Sequence, residues 1–156
     1  MENVQNLSLL NTVAEVELIY KTTVKPSQRP QLKTSNDCYQ ILKLHWDENK
    51  IEFVEQFKVI LLNKAQRVLG ICEISSGSVT GTIADPKLIF MAALKSNCTS
   101  IILSHNHPSG NLKPSSSDEQ LTNKIKLGAG LLDIAVLDHI IISSEGYFSF
   151  ADEGLL

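Results

Sequence analysis

His105 and His107 stand two residues apart in the stretch Ser104-His105-Asn106-His107-Pro108-Ser109-Gly110-Asn111-Leu112-Lys113-Pro114-Ser115-Ser116-Ser117-Asp118. On an extended strand, residues i and i+2 point to the same side, so the two imidazoles can aim at one point. A borderline-soft divalent ion such as Zn²⁺ accepts imidazole nitrogen and carboxylate oxygen. Asp118 can supply the oxygen if the loop between folds back. That loop is suited to it: Pro108 and Pro114 fix φ, Gly110 permits a tight turn, and Ser115, Ser116 and Ser117 are candidate helix N-caps. Three protein ligands with one open position is the catalytic form of a zinc site; four protein ligands is the structural form. The residues taken singly also allow a plainer reading, with two surface histidines and an aspartate that only caps a helix.

The full spacing carries more than the pair. His-x-His, seven residues, Ser, two residues, Asp resembles the motif of the JAMM (JAB/MPN+) metalloproteases, matched here by His105, His107, Ser115 and Asp118. The surrounding Ser-His-Asn-His-Pro-Ser-Gly resembles the RadC branch of that superfamily. The resemblance implies zinc held by His105, His107 and Asp118. It also implies an oxyanion-binding hydroxyl at Ser115 and a catalytic glutamate on an earlier strand. For that glutamate, Val54-Glu55-Gln56-Phe57-Lys58-Val59-Ile60-Leu61-Leu62-Asn63 resembles the RadC segment and matches at Glu55. Read from the residues alone, Glu55 shares a strand face with Phe57, Val59 and Leu61, where a carboxylate is costly without a partner. Glu73 shares parity with Leu69 and Ile71 and competes with it, while Glu52 has the opposite parity at the strand edge. Asn106 replaces the Ser or Thr commonest between the histidines in the wider superfamily, which argues against a deubiquitinase-type substrate preference. Asp138-His139 also resembles the RadC pattern, as a second layer around the metal, a substrate-facing pair or a satisfied core histidine.

Positioning these residues needs a sheet and several helices. Val16, Leu18 and Tyr20 alternate with polar neighbours as a strand would. Lys25 to Lys33, with Pro26 and Pro30, reads as an extended, solvated connector. Thr34-Ser35-Asn36-Asp37 is rich in cap residues, and Cys38, Ile41, Leu42, His45 and Trp46 follow at helical spacing, with Asp47–Lys50 ending the helix. Phe53–Asn63 and Arg67–Ser75 read as a hairpin, followed by a loop over Gly77–Thr82. Asp85-Pro86 opens a helix to about Lys95. Thr99–Leu103 is a short, apolar and therefore central strand. A helix from about Asp118 to Leu131 and strands over Ala135–Ser143 and Tyr147–Phe150 complete the chain. The order β-α-β-β-α-β-loop-α-β-β implies an α/β chain of the α+β type. It has one curved mixed sheet flanked by helices, and the resemblance gives it the cytidine-deaminase-like JAB/MPN architecture. The division is residues 1–33, an N-terminal strand and connector, and 34–156, a RadC-like JAB/MPN domain.

The chain has 156 residues, the size of one ordinary domain. Its 43 % hydrophobic and 20 % charged residues fit a globular protein, and no apolar run approaches the roughly 20 residues that span a bilayer. Three cysteines without a Cys-x-x-Cys, and an N-terminus unlike a signal peptide, lead to an expected cytoplasmic location with reduced thiols. The expectation is a zinc-dependent hydrolase, a metallopeptidase or isopeptidase acting on a peptide or protein substrate, with no membrane partner and oligomeric state left open. Two rivals accompany it: a DNA-repair-associated, DNA-binding protein of RadC type, and a metal-binding interaction module without turnover. The net charge of −3, and residues 1–33 unlike the helix-hairpin-helix region common in RadC-like proteins, weaken the DNA reading.

Overall fold

The computed structural model describes residues 12, 14–77 and 84–156. Its regular elements are α1 (Ser35–His45), β1 (Gln56–Leu62), β2 (Val68–Ser76), α2 (Pro86–Ser96), β3 (Ser100–Asn106), α3 (Ser116–Gly130), β4 (Ala135–Ile142) and β5 (Tyr147–Ser149). The five strands form one mixed sheet in the order β2-β1-β3-β4-β5. β1 runs antiparallel to β2 and β3, β3 is parallel to β4, and β5 closes antiparallel on β4. This is the single α+β domain expected from the element order.

Each face of the sheet buries its own core. On one face Leu42 and Trp46 pack with Ile60, Leu62, Ile102, Ile140 and Ile142. On the other, Ile89 and Ala93 of α2 and Ile125 and Ala129 of α3 pack with Val59, Leu61, Ile101 and Leu103. β1 and β3 are therefore buried along their whole lengths. Local chemistry starts the helices where the caps stand. Thr34 and Asp37 form a reciprocal capping box on α1, Asp85 caps α2 with Pro86 at its first position, and Asn97 ends α2 in the left-handed region at φ 51°.

Several elements differ from the sequence reading. Val16–Lys21 is no strand: Val16 and Leu18 are 86 % and 77 % exposed, and alternation without a ladder partner makes no sheet. The connector is exposed over Lys25–Gln28, as expected, and docks only at its end. Gln31 bridges to Arg67, Leu32 N–H donates to the Gln66 carbonyl, and the Leu32 side chain is buried. β1 begins at Gln56, because residues 47–54 fold into successive turns. β3 runs on to Asn106, so His105 lies within the ladder. Of the loop expected over Gly77–Thr82, only Gly77 falls among the described residues. No helix among those residues is long and apolar enough to cross a membrane.

Candidate metal centre

The end of β3 places the two histidines. His105 stands opposite Phe57 of β1, their rings parallel to within 4° and 6.0 Å apart, and it is 1 % exposed. His107 lies one residue beyond β3, but its N–H still donates to the Ile142 carbonyl, which holds it on β4. The chain then reverses. Gly110 adopts φ +78°, a value that favours glycine, and its N–H donates to the His107 carbonyl. The returning loop brings the Asn111 carbonyl onto Nδ1–H of His107.

α3 delivers the carboxylate. Ser115 is its N-cap and Asp118 its third residue, bound reciprocally: Ser115 Oγ accepts from Asp118 N, while Asp118 Oδ2 accepts from Ser115 N at 2.7 Å and Ser115 Oγ at 2.7 Å. The helix thus begins at Ser116, two residues before the sequence reading put it, and its cap residue fixes Asp118. The cap and the loop bring together ligand atoms of His105, His107 and Asp118 that all lie within 4.8 Å of one another. His105 Nε2 is 2.9 Å from His107 Nε2 and 3.3 Å from Asp118 Oδ1; His107 Nε2 is 3.8 Å from Asp118 Oδ2. Tetrahedral Zn–N bonds of about 2.0–2.1 Å set neighbouring donors roughly 3.3 Å apart, a value these separations bracket.

Hydrogen-bond directions show how the cluster could accept a cation. Thr122 Oγ donates to the Asp118 carbonyl at 2.6 Å, so its oxygen accepts from His139 Nδ1–H, also at 2.6 Å. His139 Nε2 then accepts from His105 Nδ1–H at 2.8 Å. His105 Nε2 is left with a lone pair, and the Nδ1–H of His107 is spent on the Asn111 carbonyl. Two ring nitrogens and a carboxylate therefore converge, with the His105 nitrogen bare. Burial reinforces this by pushing His105 down to about 4 and His139 well below the ordinary imidazole range, against a smaller upward pull on His105 from Asp118. Both are neutral at pH 7, the state a metal ligand needs.

The three glutamates separate. Glu55 lies one residue before β1 and two before Phe57, the partner of His105 in the β1–β3 register. Glu55 is half-buried. Glu73 is on the face away from His105: it accepts from Gln56 Nε2 at 2.8 Å and lies 3.7 Å from Lys58 Nζ. The β1–β2 register skips Leu69 and Ile74, so the strand parity that grouped Glu73 with Leu69 fails. Glu52 is exposed in the turns before β1, beside a cavity of about 260 Å³ with Trp46 and Lys43.

Two residues emerge from the structure with roles the sequence did not suggest. Asn106 is fully buried on the face away from His105. Its Oδ1 accepts from Gln56 N at 2.7 Å, and its Nδ2 donates to the Ile51 and Val54 carbonyls at 2.7 and 2.9 Å. The residue between the histidines thereby ties down the backbone on both sides of Glu55. Thr122 lies one helical turn after Asp118, and that i, i+4 spacing was the signal for it. Asp138 turns away from the centre, accepting from Ser149 Oγ and the Ala151 and His139 N–H groups.

Known proteins resemble this chain in sequence. A family model described as the RadC-like JAB domain matches residues 32–155. A UPF0758 protein of Flavobacterium johnsoniae is 46 % identical over 101 residues, 65 % of this chain and 44 % of that protein. One of Chlorobaculum parvum is 42 % identical over 110 residues, 70 % of this chain and 48 % of that protein. One of Fusobacterium nucleatum is 35 % identical over 154 residues, 97 % of this chain and 66 % of that protein. The chain spans about half the length of the first two of these curated relatives.

Proposed function

Because the chain belongs to the RadC-like JAB domain family, we propose that it is a zinc-dependent hydrolase that cleaves a peptide or isopeptide bond. The observation that carries this reading is the convergence of one ligand atom each from His105, His107 and Asp118, all within 4.8 Å of one another. A zinc ion held by these three, with a fourth position open, would supply Lewis acidity and bring the pKa of a water there to about 7.

The chain's own groups do the rest. Glu55, two residues before the strand partner of His105, accepts the proton of the attacking water and returns it to the leaving nitrogen. Ser115 has two uses. At rest its hydroxyl donates to Asp118 Oδ2. When it turns toward the oxyanion that forms on the substrate carbonyl, Asp118 Oδ2 keeps the Ser115 N–H. The carboxylate stays oriented while the hydroxyl is released.

The test is Glu55→Gln against Glu73→Gln, with bound zinc measured first and hydrolysis then read on a panel of fluorogenic peptide and isopeptide substrates. Glu55→Gln is expected to keep its zinc and to lose about 10²–10⁴ in rate, the usual size of a general-base contribution. Glu73→Gln, altered on the opposite face, is expected to match wild type. Full activity in Glu55→Gln would assign the base elsewhere.

A further inference from the structure

Behind the face that meets the cation, two of the metal ligands are joined a second time. From His105 Nδ1–H the path runs to His139 Nε2, from His139 Nδ1–H to Thr122 Oγ, and from the Thr122 hydroxyl to the backbone carbonyl of Asp118. The three side chains His105, His139 and Thr122 are all buried. His139 is fully buried, stacked on Phe150 at 4.7 Å and tilted against Phe57 at 5.7 Å, and Thr122 is 2 % exposed. With both ring nitrogens committed, His139 is out of reach of metal and substrate alike.

The direction of the chain is dictated at its far end. The Asp118 carbonyl can only accept, so the Thr122 hydroxyl must donate to it, and each proton upstream follows. Reversing the chain would put a hydrogen on His105 Nε2, the atom a metal needs bare, and would set the Thr122 oxygen against the Asp118 carbonyl oxygen at 2.6 Å with no proton between them.

We propose that His139 and Thr122 are positioning residues of the metal centre. Together they hold His105 in the tautomer with a free Nε2 and fix its ring against the first turn of α3, from which Asp118 projects. This rests on the metal-centre reading above. Outer groups of this kind typically change metal affinity 10–100-fold when removed.

The test has one arm without metal. Nitrogen-15 imidazole NMR of metal-free wild type is expected to show His105 protonated at Nδ1 and bare at Nε2, and Thr122→Val is expected to mix the two tautomers. In the second arm, zinc affinity is read by competition with a chromophoric chelator. Thr122→Val, which keeps shape and loses the hydroxyl, is expected to bind zinc 10–100-fold more weakly, and Thr122→Ser is expected to restore wild-type affinity. His139→Phe, which keeps the ring, should behave as Thr122→Val does; should it fail to fold, the Thr122 pair still decides. A wild-type His105 protonated at Nε2, or a folded Thr122→Val with unchanged tautomer and zinc affinity, overturns the proposal. Wild type that takes up no zinc while His105 is bare at Nε2 sinks the metal reading and leaves the tautomer-setting chain standing.

Discussion

Asn106→Ala should loosen the Glu55 segment without touching a metal ligand. The side chain is fully buried and makes three hydrogen bonds of 2.7–2.9 Å to the backbone of Gln56, Ile51 and Val54. At a net of about 1 kcal/mol each, their loss sets a floor of about 3 kcal/mol. Gln56 and Ile51 are themselves buried, so their stranded backbone groups add a desolvation cost and bring the total to roughly 3–5 kcal/mol. For a domain of this size about 1 kcal/mol shifts Tm by about 2–4 °C, so the variant should melt roughly 6–20 °C below wild type. Differential scanning fluorimetry reads the shift, and hydrogen exchange reads its location. The Gln56 amide should lose protection far more than the amides of β4, while stoichiometric zinc uptake persists because His105, His107 and Asp118 are unchanged. A Tm within about 2 °C of wild type, or an equally protected Gln56 amide, would refute the view that Asn106 anchors this segment.

Chelation should leave the fold standing. Two buried cores, one on each face of the sheet, form without any contribution from the metal ligands' donor atoms. Far-UV circular dichroism should hardly change with a chelator, and Tm should fall only by the binding linkage, about 2.7 kcal/mol for zinc at 100 times its Kd. Cooperative unfolding on chelation alone would make the centre structural. Cys38 should resist alkylation at pH 8: burial, then the nearby Asp138 and Asp37 carboxylates, push its thiol up to about 12, so almost no thiolate is present. Peptide mapping after iodoacetamide should find it modified only in unfolded protein, and ready modification of the native chain would contradict its buried placement.

Much of the centre was legible because its signals are local. The period of a strand pairs His105 with His107, and a cap three residues before an aspartate fixes Asp118 on α3. The start of β1 was not legible, because the partner that holds residues 51–56 is Asn106, at least fifty positions away in sequence. The choice between Glu55 and Glu73 turned on strand parity, which holds only in an unbroken ladder; the two register skips in β2 make it fail there. Val16–Tyr20 shows the converse: its alternation is real, but its backbone joins no ladder, and only the Tyr20 hydroxyl reaches the Leu69 carbonyl of β2. His139 could be singled out, yet its link to Thr122 exists only once β4 and α3 pack on one another.

The central claim is that His105, His107 and Asp118 share one metal ion. Zinc titration of the metal-stripped protein against a competing chromophoric chelator, on wild type, His107→Ala and Asp118→Ala, tests it most directly. The account predicts about one equivalent bound by wild type and most of that binding lost in either variant, because a three-ligand site has no redundancy. No uptake by folded wild type, or undiminished uptake by both variants, would contradict it.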